Sequence, residues 1–234
     1  MASISVCVAS YNGEFFIRRQ LQSILEQIGV DDEIIVSDDG STDNTLQVIN
    51  SFGDPRIRIV VNEYRQGPVG NYENALKHTS GDYVFLADQD DIWLPDKVLI
   101  LSSLLKSYDL VLSDCEVVDN FGTVLHASFF NFRRSRQGFL RNLYRNSYMG
   151  CCMAFRREVL LYVLPFPNYI HMHDWWIGLL VEVKGNAFFY RKPLIQYVRH
   201  GSNASPTGDD GYGFTKRFIN RFFLLSSVVK RLLK

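Results

Sequence analysis

Residues 4–29, ISVCVASYNGEFFIRRQLQSILEQIG, contain two apolar patterns, one after the other, that indicate the fold class. The first six, ISVCVA, are largely apolar without alternation, which is typical of a strand covered on both faces. A polar break follows at 10–14. Apolar residues then recur at helical spacing up to Gly29, namely Ile17, Leu21, Ile24, Leu25 and Ile28. The stretch therefore predicts a strand, a loop and an amphipathic helix.

The same unit recurs through the first half of the chain. Strand-like runs lie at 33–37, 56–61 and 82–87, and helix-length segments at about 43–52 and 69–79 separate them. This alternation predicts an α/β fold with a doubly wound, mostly parallel sheet. In such sheets the ligand lies outside the carboxyl ends of the strands. The loops there read SYNGE, DDGSTDN, NEYRQGPVGN and DQDD, so polar and acidic residues gather at one edge.

The second half is less regular. Strands are predicted at 108–119, 148–155, 187–191 and 193–199, and helices at about 157–164 and 173–184. Residues 201–212 read as a loop rich in Gly, Ser and Pro, and a last helix is expected at 213–234.

Composition bounds the class of protein. The 234 residues are 47% hydrophobic and can bury one sizeable core. The 25 basic residues balance the 25 acidic ones, so overall charge does not favour a nucleic-acid partner. Four cysteines without CxxC spacing (Cys7, Cys115, Cys151 and Cys152) indicate free thiols in a reducing compartment. The absence of a signal-peptide pattern and of an apolar run of about 18–20 residues predicts a cytoplasmic location.

Asp88-Gln89-Asp90 places two carboxylates directly after a strand. Hard cations such as Mg²⁺ or Mn²⁺ take one or two protein carboxylates and complete their coordination with water and phosphate oxygens. The alternative is a solvated acidic loop in which Asp91 or Asp96 caps the next helix.

Asp38 and Asp39 form a second acidic pair, at the end of the second strand. A carboxylate at this place can accept a hydrogen bond from a nucleotide, but Gly40 and Ser41 equally favour a simple turn. Neither G-x-G-x-x-G nor a Walker A sequence occurs, so a phosphate ligand needs a metal and side chains instead of a glycine cradle.

Five stretches, in this order, resemble the signatures of family 2 glycosyltransferases: ISVCVASYNGEFFIRRQLQSILEQ, DEIIVSDDGSTDNT, GDYVFLADQDDIW, HDWWIGLL and YVRHGSN. The family has the GT-A fold and transfers sugars with inversion. The DQDDIW, HDWW and RHGSN variants resemble the bacterial rhamnosyltransferase-type branch, which builds O-antigens and capsules.

The resemblance assigns roles to individual positions. It implies that Asp88 faces the ribose, that Asp90 ligates the Mg²⁺ or Mn²⁺ at the donor diphosphate, and that Asp174 is the general base. Arg199 and His200 would lie on a loop that closes over the diphosphate. The base pocket would be formed by Ala9, Ser10, Tyr11, Asp38 and Asp39.

Two of these positions leave alternatives open on spacing alone. Asp174 precedes an apolar helix, where the helix dipole would keep a base ionised, but spacing alone favours a plain N-cap over a general base there. The neighbouring Trp175 and Trp176 could stack on a sugar, although a tryptophan pair at the start of an apolar helix is more often part of the core.

Two stretches contain basic residues among aromatic ones and no acidic residue: 120–157, with Arg only, and 213–234, with Lys and Arg. No recognised nucleic-acid-binding module surrounds them. A basic amphipathic helix at 213–234 indicates either peripheral contact with an anionic membrane or packing on the domain itself.

The sequence thus predicts one GT-A domain over 1–212, with a donor half at 1–107 and an acceptor half at 108–212. It would move a sugar, rhamnose by the branch resemblance, from a nucleoside-diphosphate donor to a hydroxyl of a lipid-linked bacterial surface glycan. The competing interpretations are a sugar nucleotidyltransferase and a non-catalytic nucleotide-sugar-binding domain. SYNGEFF disfavours the former, because it has one Gly and no Lys or Arg.

Overall fold

The computed structural model describes residues 2–201, 203 and 214–233, with side chains from 219 onward in the last segment. The strands are β1 (Ile4–Ser10), β2 (Glu33–Asp38), β3 (Ile57–Val61), β4 (Tyr83–Asp88), β5 (Ile92–Trp93), β6 (Leu110–Asp119), β7 (Val124–His126), β8 (Met153–Arg156) and β9 (Ala187–Arg199). The helices are α1 (Ile17–Leu25), α2 (Thr45–Asn50), α3 (Pro68–Lys77), α4 (Lys97–Leu104), α5 (Phe129–Arg133), α6 (Phe139–Tyr144), α7 (Leu160–Val163), α8 (His173–Lys184) and α9 (Phe214–Leu232).

The described strands form one mixed, mostly parallel sheet. Its order is β3-β2-β1-β4-β8-β6-β9-β5, and β7 pairs with β6. Strands β1 to β4 pair in parallel with one another, and β8 lies antiparallel between β4 and β6. Because β8 is antiparallel to both of its neighbours, β6 runs in the same direction as β4, and so does β9, which is parallel to β6. The carboxyl ends of all these parallel strands therefore lie at one edge.

The doubly wound prediction is confirmed, and its local errors lie in the second half. The stretch predicted as a strand at 148–155 is a 3-10 turn at Gly150–Cys152 followed by the short β8. The two strands predicted on either side of residue 192 are one strand, β9, whose pairing with β6 shifts register near Asp114. Pro193 lies at this irregularity and does not end the strand.

The core confirms the amphipathic assignments. Ile17, Leu21 and Ile24 of α1 are fully buried against the sheet, and burial of each such side chain contributes about 1.5–3 kcal/mol. All four cysteines are buried and free. No helix among the described residues is long and apolar enough to cross a membrane.

Candidate active site

The ends of β1, β2 and β4 bring the acidic loops together. Ser10 pairs with Asp38, and Ala9 pairs with Asp88, in register across three adjacent parallel strands. The expected gathering of these loops at one sheet edge is therefore present. The amide of Asp39 donates to the carbonyl oxygen of Ser10 at 2.9 Å, which ties the first two loops to each other.

Asp38 is buried, and its carboxylate holds its own turn. One carboxylate oxygen accepts from the amides of Gly40 and Ser41, at 3.1 and 2.8 Å, and the other accepts from the Ser41 hydroxyl. Gly40 has a φ of +84°, which suits a residue without Cβ. The contacts of Asp38 thus support the interpretation of this segment as a turn. A direct role of Asp38 in nucleotide binding stays a prediction.

Asp39 is half-buried and holds the loop between β3 and α3. Its carboxylate accepts from the Asn62 side-chain amide at 2.6 Å and from the Gly67 amide at 2.7 Å. These bonds fix the orientation of the carboxylate at the strand end. Nearby, the Tyr11 side chain is 54% exposed, so its ring is accessible beside the strand ends.

Asp88 is anchored by a residue that sequence reasoning missed. The Tyr72 hydroxyl, on α3, lies 2.6 Å from a carboxylate oxygen of Asp88 and 2.8 Å from the carbonyl oxygen of Ala87. Burial raises the pKa of Asp88 to about 7, the charge of Asp90 adds to this, and the Tyr72 hydrogen bond opposes it. Tyr72 lies within α3, whose mixed apolar and polar sequence gives no local signal of a site.

Asp90 and His200 meet although they are 110 residues apart. The His200 Nε2 lies 2.7 Å from a carboxylate oxygen of Asp90, and the Asn203 side-chain amide donates to the same oxygen at 3.2 Å. The His200 ring stacks on Phe16, with ring centroids 4.4 Å apart. A carboxylate oxygen and an imidazole nitrogen thus converge on one point, and both are ligand types for divalent cations.

Asp91 is the innermost of the three carboxylates, and the helix-cap alternative for it is wrong. Its side chain is fully buried, and one oxygen accepts from the Val198 amide of β9 at 3.2 Å. Burial, followed by the charges of Asp90 and Asp88, raises its pKa well above the usual value. Asp96 precedes α4 but makes no capping hydrogen bond with its side chain.

A second group of ligand atoms lies beneath this turn. The carboxylates of Asp88 and Asp91 and the Cys151 thiol offer atoms within 4.8 Å of one another. The Asp91 and Cys151 side chains are buried. The Lys97 ammonium, also buried, donates to the Cys151 carbonyl oxygen at 3.1 Å. Burial lowers the pKa of the Lys97 ammonium group, and the charge of Asp91 opposes this shift.

Asp174 lies in the first turn of α8, and its N-cap alternative is wrong, because the cap position belongs to Met172. The carboxylate is 3% exposed and accepts from the Trp175 amide at 2.6 Å. Burial raises its pKa to about 7, and the charge of Asp88 contributes in the same direction. The expectation that the helix dipole alone keeps Asp174 ionised is thus corrected, because desolvation outweighs it.

The neighbours of Asp174 belong to the core. Trp175 and Trp176 are buried, and their indole N–H groups donate to the carbonyl oxygens of Asn142 and Val163, at 2.7 and 2.9 Å. His173 stacks on Tyr72 at 4.0 Å, and burial lowers its pKa to about 3. Arg199 ends β9 opposite Asp119.

Comparisons with known proteins agree with this architecture. The family profile described as glycosyl transferase family 2 matches residues 5–164. The UDP-Glc:alpha-D-GlcNAc-diphosphoundecaprenol beta-1,3-glucosyltransferase WfgD of Escherichia coli is 31% identical over 185 residues, covering 78% of this chain and 71% of that one. The dTDP-rhamnosyl transferase RfbG of Shigella flexneri is 29% identical over 220 residues, covering 84% and 72%.

Solved structures show the same fold. The S. aureus TarS structure in complex with UDP-GlcNAc superposes with a TM-score of 0.72 at 19% identity, covering 99% of this chain and 67% of that one. The Pyrobaculum calidifontis mannosyltransferase PcManGT in complex with GDP-Man and Mn²⁺ gives a TM-score of 0.62 at 21% identity, covering 86% and 58%. The chain thus spans about two thirds or less of these structures, and with its GT-A fold it belongs to glycosyl transferase family 2.

Proposed function

We propose that the chain transfers a sugar, with inversion, from a nucleoside-diphosphate donor to a hydroxyl group of an acceptor. The observation that carries the proposal is the gathering of three carboxylates, Asp88, Asp90 and Asp174, at one edge of the sheet. Tyr72 connects Asp88 to the start of α8, because its hydroxyl lies 2.6 Å from Asp88 and its ring stacks on His173, the residue before Asp174. In this proposal the donor, metal and base residues are adjacent, as a single displacement requires.

Asp174 is the general base of this proposal. It takes the proton of the acceptor hydroxyl while the acceptor oxygen forms a bond to the anomeric carbon of the donor sugar. The bond from that carbon to the diphosphate oxygen breaks, and its electron pair leaves with the nucleoside diphosphate. A carboxyl whose pKa is about 7 suits this role, because general bases work best when their pKa lies near the operating pH.

The donor is held by residues at the strand ends. Ala9, Ser10, Tyr11 and Asp39, with Asp38 behind them in its turn, line the base pocket, and Asp88 faces the ribose. Asp90 is the ligand for Mg²⁺ or Mn²⁺, and His200 lies beside it at 2.7 Å, where it and Arg199 face the diphosphate. When bound, the cation would offset the negative charge that develops on the leaving diphosphate.

Two relatives support the substrate class. WfgD is a glucosyltransferase for UDP-glucose and an undecaprenol-diphosphate-linked GlcNAc acceptor, and RfbG is a dTDP-rhamnosyl transferase. We assign this chain a nucleotide hexose donor and a lipid-linked bacterial surface glycan as acceptor. Rhamnose is retained as the candidate sugar because the DQDDIW and HDWW variants resemble that branch.

Thermal stabilisation tests the donor assignment directly. The melting temperature of the wild-type protein is measured with UDP-glucose, UDP-GlcNAc, dTDP-rhamnose or GDP-mannose, each with Mn²⁺ or with EDTA. Each ligand is present at about 1 mM, which should exceed its Kd about 10–100-fold. We expect one nucleotide class to raise the melting temperature with Mn²⁺ present. Indifference to all of them would refute the proposal, and binding without release of nucleoside diphosphate in the presence of acceptor would favour the non-catalytic alternative.

Peripheral membrane contact through α9 is the second part of the proposal. One face of α9 packs on the domain, because Leu224 and Val228 are buried and Arg231 donates to the carbonyl oxygens of Tyr162 and Leu164. Both sequence alternatives thus have support, since another apolar face stays exposed. That outer face consists of Phe222, Leu225, Val229 and Leu232, which are 61%, 38%, 47% and 38% exposed.

The outer face suits an anionic lipid surface on the inner side of the cytoplasmic membrane, because basic residues and no acids accompany it in 213–234. Co-sedimentation with liposomes containing anionic lipid tests this. The double variant Phe222→Ser/Val229→Ser should lose binding, whereas Val30→Ser, at a valine outside α9 that is 87% exposed, should not. Unchanged sedimentation of the double variant would contradict a membrane role for α9.

A further inference from the structure

Gln89, between the two carboxylates of the acidic pair, has a side chain that points away from them. Its carboxamide oxygen accepts from the Tyr11 amide at 2.9 Å, and its carboxamide N–H group donates to the Tyr11 carbonyl oxygen at 2.9 Å. One side chain thus makes both hydrogen bonds that a neighbouring strand would make with the backbone of Tyr11. The sequence alone carried no sign of this contact.

The pair of bonds continues the sheet beyond the point where the backbones separate. The register between β1 and β4 ends at Ala9 and Asp88. After Asp88 the chain turns, and Asp90 meets His200 instead of continuing beside β1. Gln89 spans the resulting gap, so the Tyr11 amide and carbonyl keep partners where backbone pairing has stopped.

The Gln89 carboxamide occupies the space beside Gly13 where a side chain would otherwise lie. A Cβ at Gly13 would lie 2.2 Å from the carboxamide oxygen of Gln89 and 2.6 Å from its carbonyl carbon Cδ. Any larger residue at 13 would therefore displace the Gln89 side chain from Tyr11. The Gln89 carboxamide can reach Tyr11 only because residue 13 is glycine, and we call Gly13 and Gln89 the interlocked pair.

We infer that Gln89 is a positioning residue that joins the nucleoside loop, residues 10–14, to the metal turn, residues 88–91. The inference rests on the proposed function, in which Tyr11 lines the base pocket and Asp90 ligates the cation. A cation held by Asp90 would order the turn, and the two hydrogen bonds of the Gln89 carboxamide would transmit that order to Tyr11. Metal and nucleoside binding then strengthen each other, and the coupling is reciprocal.

Isothermal titration of UDP, or of dTDP if UDP does not bind, measures the coupling as the ratio of Kd in EDTA to Kd in Mn²⁺. Gln89→Met keeps the length of the side chain and removes both hydrogen bonds. We expect it to weaken binding about 10-fold in Mn²⁺ and less than about 3-fold in EDTA, so that the ratio falls. Gly13→Ala should reproduce this loss by displacing the carboxamide.

The double variant Gly13→Ala/Gln89→Met decides whether the two residues act as a unit. It should bind no more weakly than either single variant, whereas additive losses would overturn the interlock. Gln27→Met is the matched control, because the Gln27 carboxamide also bridges two segments, bonding Leu94 and Val98 at 3.0 and 3.3 Å, away from Tyr11.

Two failures are distinguishable. Wild-type protein that binds no nucleoside diphosphate, with or without Mn²⁺, would remove the proposed donor site, and the inference with it. Wild-type protein that binds, together with a Gln89→Met variant whose ratio of Kd values is unchanged, would remove only the role of Gln89. If the ratio of Kd values falls as much in Gln27→Met as in Gln89→Met, the loss reflects a general decrease in stability, and this result would also overturn the inference.

Discussion

Replacing Asp174 with Asn should abolish transfer and at the same time stabilise the fold at pH 8. The pKa of Asp174 is about 7, against 3.8 for an unperturbed aspartate, chiefly because the carboxyl is buried. The folded state therefore holds this proton more tightly than the unfolded chain does. Stability is lost as the pH rises from about 4 to about 7, and it stays low above that range.

The pKa difference sets the size of the effect. A change from 3.8 to about 7 corresponds to at most about 4 kcal/mol of destabilisation in the wild type at pH 8. Asn carries no charge, so Asp174→Asn escapes this cost while keeping an oxygen that can accept from the Trp175 amide. At pH 5 the advantage of the variant should shrink to less than half, because the wild-type carboxyl is then mostly protonated.

Urea unfolding followed by circular dichroism at pH 8 and pH 5 measures both effects. Release of nucleoside diphosphate measures activity, which should fall at least about 100-fold in the variant, the usual loss for a general base. Asp38→Asn is the control: its carboxylate is buried but accepts several hydrogen bonds from its own turn, so this variant should lose about 1–3 kcal/mol at both pH values. An Asp174→Asn protein less stable than wild type at pH 8 would refute the reasoning.

Three further predictions concern the turn and the core. Asp90→Asn should weaken nucleoside-diphosphate binding at least about 10-fold in Mn²⁺ and little in EDTA by calorimetry, and equal losses would remove it as a ligand. Tyr72→Phe removes the hydroxyl that lowers the pKa of Asp88, so the pH midpoint of donor binding should move upward. Gly178→Ala should cost about 1–3 kcal/mol in urea unfolding, since its Cβ would lie 2.4 Å from Tyr148 ring atoms; an unchanged midpoint would contradict the close packing.

The apolar pattern of the sequence is sufficient to predict those elements whose structure depends on residues close together in the chain. Apolar periodicity located β1 and α1, and the strict alternation of strands and helices required parallel strands, so the loops after Ser10, Asp38 and Asp88 had to share an edge. The second half was predicted less well. There the register shift of β9 near Asp114 and the 3-10 turn at Gly150–Cys152 depend on packing against the rest of the sheet.

Side-chain periodicity along the chain is enough to predict the α/β alternation and to show which carboxylates lie at the strand ends. The rest of the site depends on tertiary contacts. Two contacts, of Asp90 with His200 and of Gln89 with Tyr11, join segments that are 110 and 78 residues apart in the chain. The burial of Asp91 depends on the atoms that cover its side chain. Burial also set the pKa of Asp174, since desolvation depends on the surrounding atoms and not on the residue's neighbours in the chain.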